Sequence, residues 1–356
     1  KQGLYAWVTE DGHYLMIEIS QGTDTKNGLF YKDLTKSDSA VVELLRRGLI
    51  KTFFFIRYSL GGPHLRLRVR PTAATSEGAI DALLDEHATR FFAAHPSDET
   101  RPSDEIRQRN RSTALDDPSA DFDSVYANET LERFNFEPEV ERYGGPEHLE
   151  SAYDLFTLSS SMAIEAVSAL TEVPRTRWLA AKLRYLAHQA LASSDDPAML
   201  DYVLSYPIRL WGAAQPRVIE RGDAAFEKQH RAFVALMWRE ADTWRRGEAT
   251  EMPGARWLGP AVRAVTRRLR HDPTVDVGEV AVSHLHMTAN RLGINNAEEL
   301  YLCRILERAV AELAEDDPEL VSAAIAAGGP SMDSTSLDQW RTRCLASFVN
   351  SEEEPS

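Results

Sequence analysis

The spacing of apolar positions changes along the chain, and the change falls near residue 148. Upstream the pattern is mixed. Residues 4–8 and 14–19 are rich in aromatic and β-branched side chains and flank the turn signal EDGH, which predicts a hairpin. Residues 37–49 (SDSAVVELLRRGL) set a capping Ser ahead of helically spaced apolar positions. Residues 51–58 and 64–70 predict two antiparallel strands joined by SLGGP, and residues 76–94 return to helical spacing. Residues 95–130 carry no regular pattern and read as a long loop insertion, a length that is usually functional or disordered.

Downstream the period is helical almost throughout. Helices are predicted over residues 148–170, 175–193, 196–211, 224–246, 257–270, 277–292 and 297–315. Each has apolar residues three and four apart and is closed by Pro, Gly or a polar cluster. No repeat period marks a solenoid. The fold class is α+β, with an N-terminal mixed or antiparallel sheet and a largely α-helical C-terminal half. No linker composition interrupts it, so residues 1–356 are expected to form a single domain, with residues 350–356 (NSEEEPS) a disordered tail.

Composition narrows the partners. A formal charge of −15 over 356 residues argues against a general nucleic-acid binder, because phosphate neutralisation needs a basic surface. No stretch approaches the roughly 18 apolar residues of a membrane span, and the first residues do not form a signal peptide, so the expected location is cytoplasmic. The chain starts without Met, which suggests trimming. Cys303 and Cys344 are too few and too far apart for a disulfide framework or a zinc knuckle.

Against that acidic background, residues 53–70 (FFFIRYSLGGPHLRLRVR) stand out. Alternation puts His64, Arg66, Arg68 and Arg70 on one face of a strand and turns Leu65, Leu67 and Val69 towards the core. Such a row fits a solvated face. It equally fits a wall that holds a carboxylate or oxyanion, the task for which a planar donor fork is suited. Arg142 and Tyr143, ahead of Gly144 and Gly145, are polar groups at an element boundary; the glycines read as a turn. Ser159, Ser160 and Ser161 follow on a helix with no nucleophile-elbow pattern around them. In residues 283–302 (SHLHMTANRLGINNAEELYL), His286 and Asn290 lie four apart, as do Met287 and Arg291. Gly293 supplies a stop, and Asn295 or Asn296 caps the next helix. His284 and His286 lack the spacing of a zincin pair, so no metal is expected. A helical His is commonly structural, and the polar cluster around His286 also suits chemistry.

Together, FFIRYSLGGPHLRLRVR, PEVERYGG with its Ser-rich helix, and SHLHMTANRLGI with AEELYL resemble one family. They are similar to the C-terminal, glutamate-eliminating domain of class I lantibiotic dehydratases and its stand-alone relatives in thiopeptide biosynthesis. The three motifs occur in the family's order across residues 53–302. The resemblance implies an elimination-domain-like fold and one of two activities, neither using a metal or redox cofactor. One is the pyridine-synthase reaction, a formal [4+2] aza-cycloaddition of two dehydroalanines in a thiazole-bearing peptide, with loss of water and of the leader peptide. The other is β-elimination of glutamate from glutamylated Ser or Thr, which would require a separate glutamylating partner.

The resemblance also assigns residues. Arg57, Arg142 and His286 match the family's catalytic positions, and Tyr58, His64, Arg66, Tyr143, Ser160, Asn290 and Arg291 are expected to bind substrate. The loop at 95–130, the turn LGGPH and the stretch TRFFAAHPS look more like the cycloaddition branch, whereas Arg57, Arg142 and His286 fit an eliminase as well. Both readings imply a precursor peptide with a leader, with other biosynthetic enzymes as further partners. A groove lined by Tyr58 or Trp178 would suit that peptide.

Overall fold

The computed structural model describes residues 2–8, 14–21, 28–33, 40–58, 62, 64–75, 77–94, 96, 104, 106–107, 123, 125–127, 129–133, 136–170, 175–248, 252, 254–327 and 337–351, the first three stretches by backbone alone. They fall into two compact units. One takes in Lys1–Glu137, Leu170–Pro174 and Val349–Ser356, the other Pro138–Ala169 and Arg175–Phe348. Most of the 95–130 insertion, and residues 352–356 of the expected tail, lie outside the described residues, while Asn350 and Ser351 end a helix.

The first unit holds the strands. β1 (Gln2–Val8), β2 (Tyr14–Gln21) and β3 (Gly28–Asp33) form an antiparallel sheet in that order, with Leu4 opposite Ile19 and Tyr14 opposite Asp33. The expected hairpin is β1–β2. β3 (GLFYKD) has ordinary strand length, but its Leu, Phe and Tyr form a run of only three between Gly28 and the charged Lys32 and Asp33, so the sequence does not mark it. Helix α1 (Ala40–Arg46) leads into β4 (Ile50–Tyr58), which pairs antiparallel with β5 (His64–Pro71) in a separate two-stranded sheet, followed by α2 (Glu77–Ala94). Val42, Leu44, Ile50, Phe53, Ile80 and Leu83 are buried at the core of this unit. Each such side chain contributes roughly 1.5–3 kcal/mol by leaving water.

At Leu65 and Leu67 the faces of β5 are the reverse of the expectation, whereas Val69, half-buried opposite the core residue Phe53, keeps to it. Leu65 is 65% exposed and Leu67 38%, whereas His64, Arg66, Arg68 and Arg70 are half-buried. The reason is the set of rings on the arginine side. The Arg66 guanidinium lies 3.6 Å above the Tyr58 ring, and that of Arg68 lies 4.7 Å from the Phe136 ring and 5.6 Å from Phe54. His64 packs edge-on to Tyr126 and Tyr58. Long cationic side chains bury their stems on aromatic planes and gain from the ring charge distribution, and aliphatic alternation does not reveal such a surface. Because Arg57 pairs directly with Leu65, it occupies the leucine face, away from Tyr58, His64 and Arg66.

The second unit is helical. A 3₁₀ turn (Glu141–Tyr143) precedes α3 (Leu149–Leu170), α4 (Arg175–Ser193), α5 (Pro197–Trp211), α6 (Pro216–Arg245), α7 (Ala255–Leu269), α8 (Val277–Arg291), α9 (Asn296–Asp316), α10 (Pro318–Ala327) and α11 (Leu337–Ser351). Side-chain caps fix several starts. Asp196 accepts from the Met199 N–H at 2.7 Å, Asp276 from Glu279 at 3.1 Å, and Asn295 from Glu298 at 3.0 Å. Gly293, at φ 74°, follows the end of α8 as expected. Helix α6 begins before its predicted start, because its first turns are polar and carry Gly222, where a Cβ would meet Arg304 of α9 at 3.1 Å. Leu158, Leu186, Leu191, Trp244, Leu285 and Ile305 are fully buried, and so are the two thiols, Cys303 on α9 and Cys344 on α11. Among the described residues no helix is long and apolar enough to cross a membrane.

Candidate active site

Within the helical unit a cavity of about 610 Å³ opens beside the 3₁₀ turn, the end of α5, the start of α8 and the first turn of α9. Its construction starts with the two glycines. Gly144 and Gly145 have φ of 89° and 97°, and a Cβ on Gly144 would press on Val275 at 3.2 Å. The chain can therefore fold tightly after Arg142 and bring that side chain to α8. Its Nε donates to Ser283 Oγ at 3.1 Å, while Nη1 pairs with Glu139 at 3.0 Å.

Helical spacing does the rest. Glu279, Ser283 and His286 follow one another at intervals of four and three, so all three reach the cavity from one stripe of α8. The Glu279 carboxylate accepts from the hydroxyls of Tyr202 and Tyr206, each at 3.0 Å, and so ties α5 to α8. Burial and that carboxylate push the Tyr202 phenol up to about 12 and raise Tyr206 too, so both remain donors at neutral pH. His286 Nδ1 lies 2.7 Å from Glu299 Oε2, and its ring packs against Trp211 at 5.4 Å between centroids. Glu299 is 1% exposed.

Behind this wall lies a packed polar-aromatic layer. Tyr143 sits between Phe156 and His284, with ring centroids 4.8 and 5.2 Å away. Arg291 donates to Ser159 Oγ at 2.9 Å and stacks over Phe156 at 5.1 Å. Burial, with the charges of Arg291 and Arg142, drives the His284 imidazole down to about 3, so it is neutral.

Of the residues read from the sequence, Arg142 and His286 share the cavity. Tyr143, Ser160 and Arg291 are buried in the layer behind it or in the core, and Asn290 is half-buried on α8 away from the lining. Arg57, Tyr58, His64 and Arg66 belong to the strand unit. There the last three form their own cluster. Arg66 Nε donates to His64 Nε2 at 3.1 Å, and His64 Nδ1 donates to the Gly62 carbonyl at 2.8 Å. Burial, with the Arg66 charge, holds the His64 pKa below its ordinary value, and burial likewise lowers that of Arg57. Trp178 is half-buried on α4.

Sequence reasoning missed Glu279, Glu299, Tyr206 and Trp211. The signal for Glu279 was its place on the stripe with Ser283 and His286. For Glu299 it was an acidic residue in the first turn after the Asn295 cap. Among the described residues, Glu147, His148 and Asp272 bring potential metal-ligand atoms within 4.8 Å of one another. Asp272 is already engaged, by His148 at 3.3 Å and by the Thr274 N–H and hydroxyl.

Comparison with known proteins bears on the whole arrangement. No curated protein sequence matches the chain. Among solved structures, the fold is similar to that of the pyridine synthase TbtD from thiomuracin biosynthesis, with a TM-score of 0.58 and 17% identity over 79% of this chain and 96% of that one. It is similar to TsrL, with a TM-score of 0.52 and 16% identity over 82% and 93%. The tRNA-dependent lantibiotic dehydratase MibB from Microbispora sp. 107891 matches with a TM-score of 0.50 and 21% identity, over 78% of this chain and 26% of that one. At these identities the likeness is one of fold. The family model for the C-terminal region of lantibiotic biosynthesis dehydratases matches residues 33–310, which include the arginine hairpin, the Gly-Gly turn, His286 and Glu299. The chain belongs to the lantibiotic dehydratase C-terminal family.

Proposed function

We propose that the protein is a thiopeptide pyridine synthase, joining two dehydroalanines of a thiazole-containing precursor peptide by a formal [4+2] aza-cycloaddition. The observation that carries this reading is the charge of the cavity. Glu141, Glu147, Asp276, Glu279 and Glu299 line it, against Arg142 as the one arginine or lysine among the described lining residues. An eliminase must hold a departing glutamate, an anion that such a wall repels. A cycloaddition substrate enters without the departing anion of an elimination and is rich in amide N–H groups, which donate hydrogen bonds to carboxylates.

The chemistry follows from the groups present. One dehydroalanine must become a 2-azadiene, which requires the proton of a peptide N–H to leave nitrogen and the carbonyl oxygen to be stabilised as it gains charge. His286 takes that proton, and Arg142 with Ser283 donates to the oxygen. Two new bonds then close the six-membered ring. Departure of the former carbonyl oxygen as water, and of the leader as its carboxamide, gives the pyridine. The walls provided by Trp211, Val275 and Pro207 hold the two alkenes within reach of one another, and proximity is the largest gain available to such a reaction. The fold-level likeness to TbtD, over nearly all of that chain, agrees with this reading.

Glutamate elimination is the second reading, favoured by Arg142 and His286 at the positions that resemble an eliminase. One incubation separates them. A peptide bearing thiazoles and two dehydroalanines is mixed with the protein and followed by mass spectrometry. Release of an intact leader amide with loss of water is the expected result. Inertness towards that peptide, together with loss of glutamate from a glutamylated one, would overturn the first choice.

A further inference from the structure

We propose that Glu299 is a positioning residue that holds the neutral His286 ring as its Nδ1–H tautomer, leaving the Nε2 lone pair for the substrate. The proposal rests on the reading of His286 as the group that moves the proton. Its evidence is geometric. Glu299 Oε2 lies 2.7 Å from His286 Nδ1, within reach for a charge-assisted hydrogen bond. The carboxylate is 1% exposed, so water does not compete for it, whereas the imidazole is 20% exposed at the cavity wall. Among the described residues no lysine or arginine pairs with Glu299, and its second oxygen, Oε1, is buried and accepts no hydrogen bond. A buried carboxylate with so few donors binds its one N–H partner strongly and opposes any arrangement that removes it.

Two further contacts fix the geometry. Glu299 stands in the first turn of α9, where its backbone N–H donates to the Asn295 carbonyl at 2.8 Å and the helix dipole favours negative charge. Trp211 packs against the imidazole at 5.4 Å and 59°, which restricts rotation of the ring. With Nδ1–H committed to Glu299, the nitrogen left to accept a substrate proton is Nε2. When it does so, the imidazolium charge is met by the same carboxylate. The proton moves from substrate nitrogen to Nε2, and Glu299 retains its charge throughout. A ring flipped by 180° would turn the Cδ2–H towards the carboxylate, and the opposite tautomer would turn a lone pair towards it; either loses the hydrogen bond.

The test reads the tautomer separately from turnover. With the protein labelled with ¹⁵N-histidine, and the His286 signals assigned by their absence in His286→Gln, Nδ1 is expected to carry the proton and Nε2 the lone pair in the neutral ring. A wild-type ring protonated at Nε2 overturns the proposal without any variant. Glu299→Gln, checked for an unaltered fold by circular dichroism, is expected to give mixed tautomers. Its kcat should fall by roughly 10²–10³-fold with KM within about twofold. An unchanged tautomer with kcat within about threefold of wild type overturns it. Full turnover by His286→Ala would instead defeat the reading of His286 as base, while the ring spectra continued to report on Glu299.

Discussion

In the strand unit, Arg66 lies flat on Tyr58 and donates to His64, whose other nitrogen is bound to the Gly62 carbonyl. In the helical unit, Arg142 spans Ser283 and Glu139, and His286 rests on Glu299 at a cavity wall. The same residue types are thus anchored in two ways. On the hairpin, both nitrogens of the histidine and the face of the guanidinium are taken up by neighbours of the same sheet. In the cavity, Arg142 and His286 are each held on one side by a carboxylate and line the open volume. Anchoring by carboxylate leaves a polarised group at a cavity wall, whereas stacking on rings uses the cation to hold the protein together.

The sharpest way to break this contrast is His286→Ala. Turnover of the dehydroalanine peptide is expected to fall by roughly 10³-fold, with peptide affinity kept, as measured by single-turnover mass spectrometry and titration. Retained turnover would place the cavity alongside the hairpin as structure.

Next comes the layer behind the cavity. Arg291→Ala removes a fully buried guanidinium from Ser159 and Phe156 and is expected to destabilise folding by about 3 kcal/mol in urea denaturation. An effect on peptide affinity alone, with stability intact, would transfer Arg291 to the site.

The buried histidines come third. His284 is held down to about 3 and His188, packed against Trp244, to about 4. Both values lie below the ordinary 6.5 of an unfolded chain, so between pH 6.5 and about 4 the unfolded state takes up protons that the native state refuses. Stability is therefore full above pH 6.5 and falls with acid, by about 2 kcal/mol for each histidine at pH 5. Urea midpoints from pH 7 to pH 5 measure this, and a flat profile would mean that these rings gain protons in the native protein.

The smallest effect is expected on the hairpin. Arg66→Ala should cost about 1 kcal/mol of stability and leave KM unchanged. A raised KM would bring the hairpin into the site and erase the distinction.

Much of this was legible in the sequence. The helices of the second half declared themselves because one stripe of each is buried, and α4 begins and ends where its period does. The pairing of β4 with β5 followed from SLGGP. The faces of β5 did not, since alternation says that two faces differ but not which one finds partners. Those partners, Phe136 and Tyr126, come from far along the chain. The cavity was legible in Arg142 and His286 through family resemblance. Glu299 was not, because its role depends on two helices meeting around the turn at Gly293, and ordinary first-turn acids look the same in sequence.

The two cysteines acquire a different meaning beside the proposed substrate. Dehydroalanine is a Michael acceptor, and a thiolate adds to it readily to form a thioether. Cys303 and Cys344 are buried, and burial pushes both thiols up, Cys344 to about 12 and Cys303 well above its usual range. Neither presents a thiolate at neutral pH. Under the proposed reaction, the burial of both thiols keeps the protein from being alkylated by its own substrate.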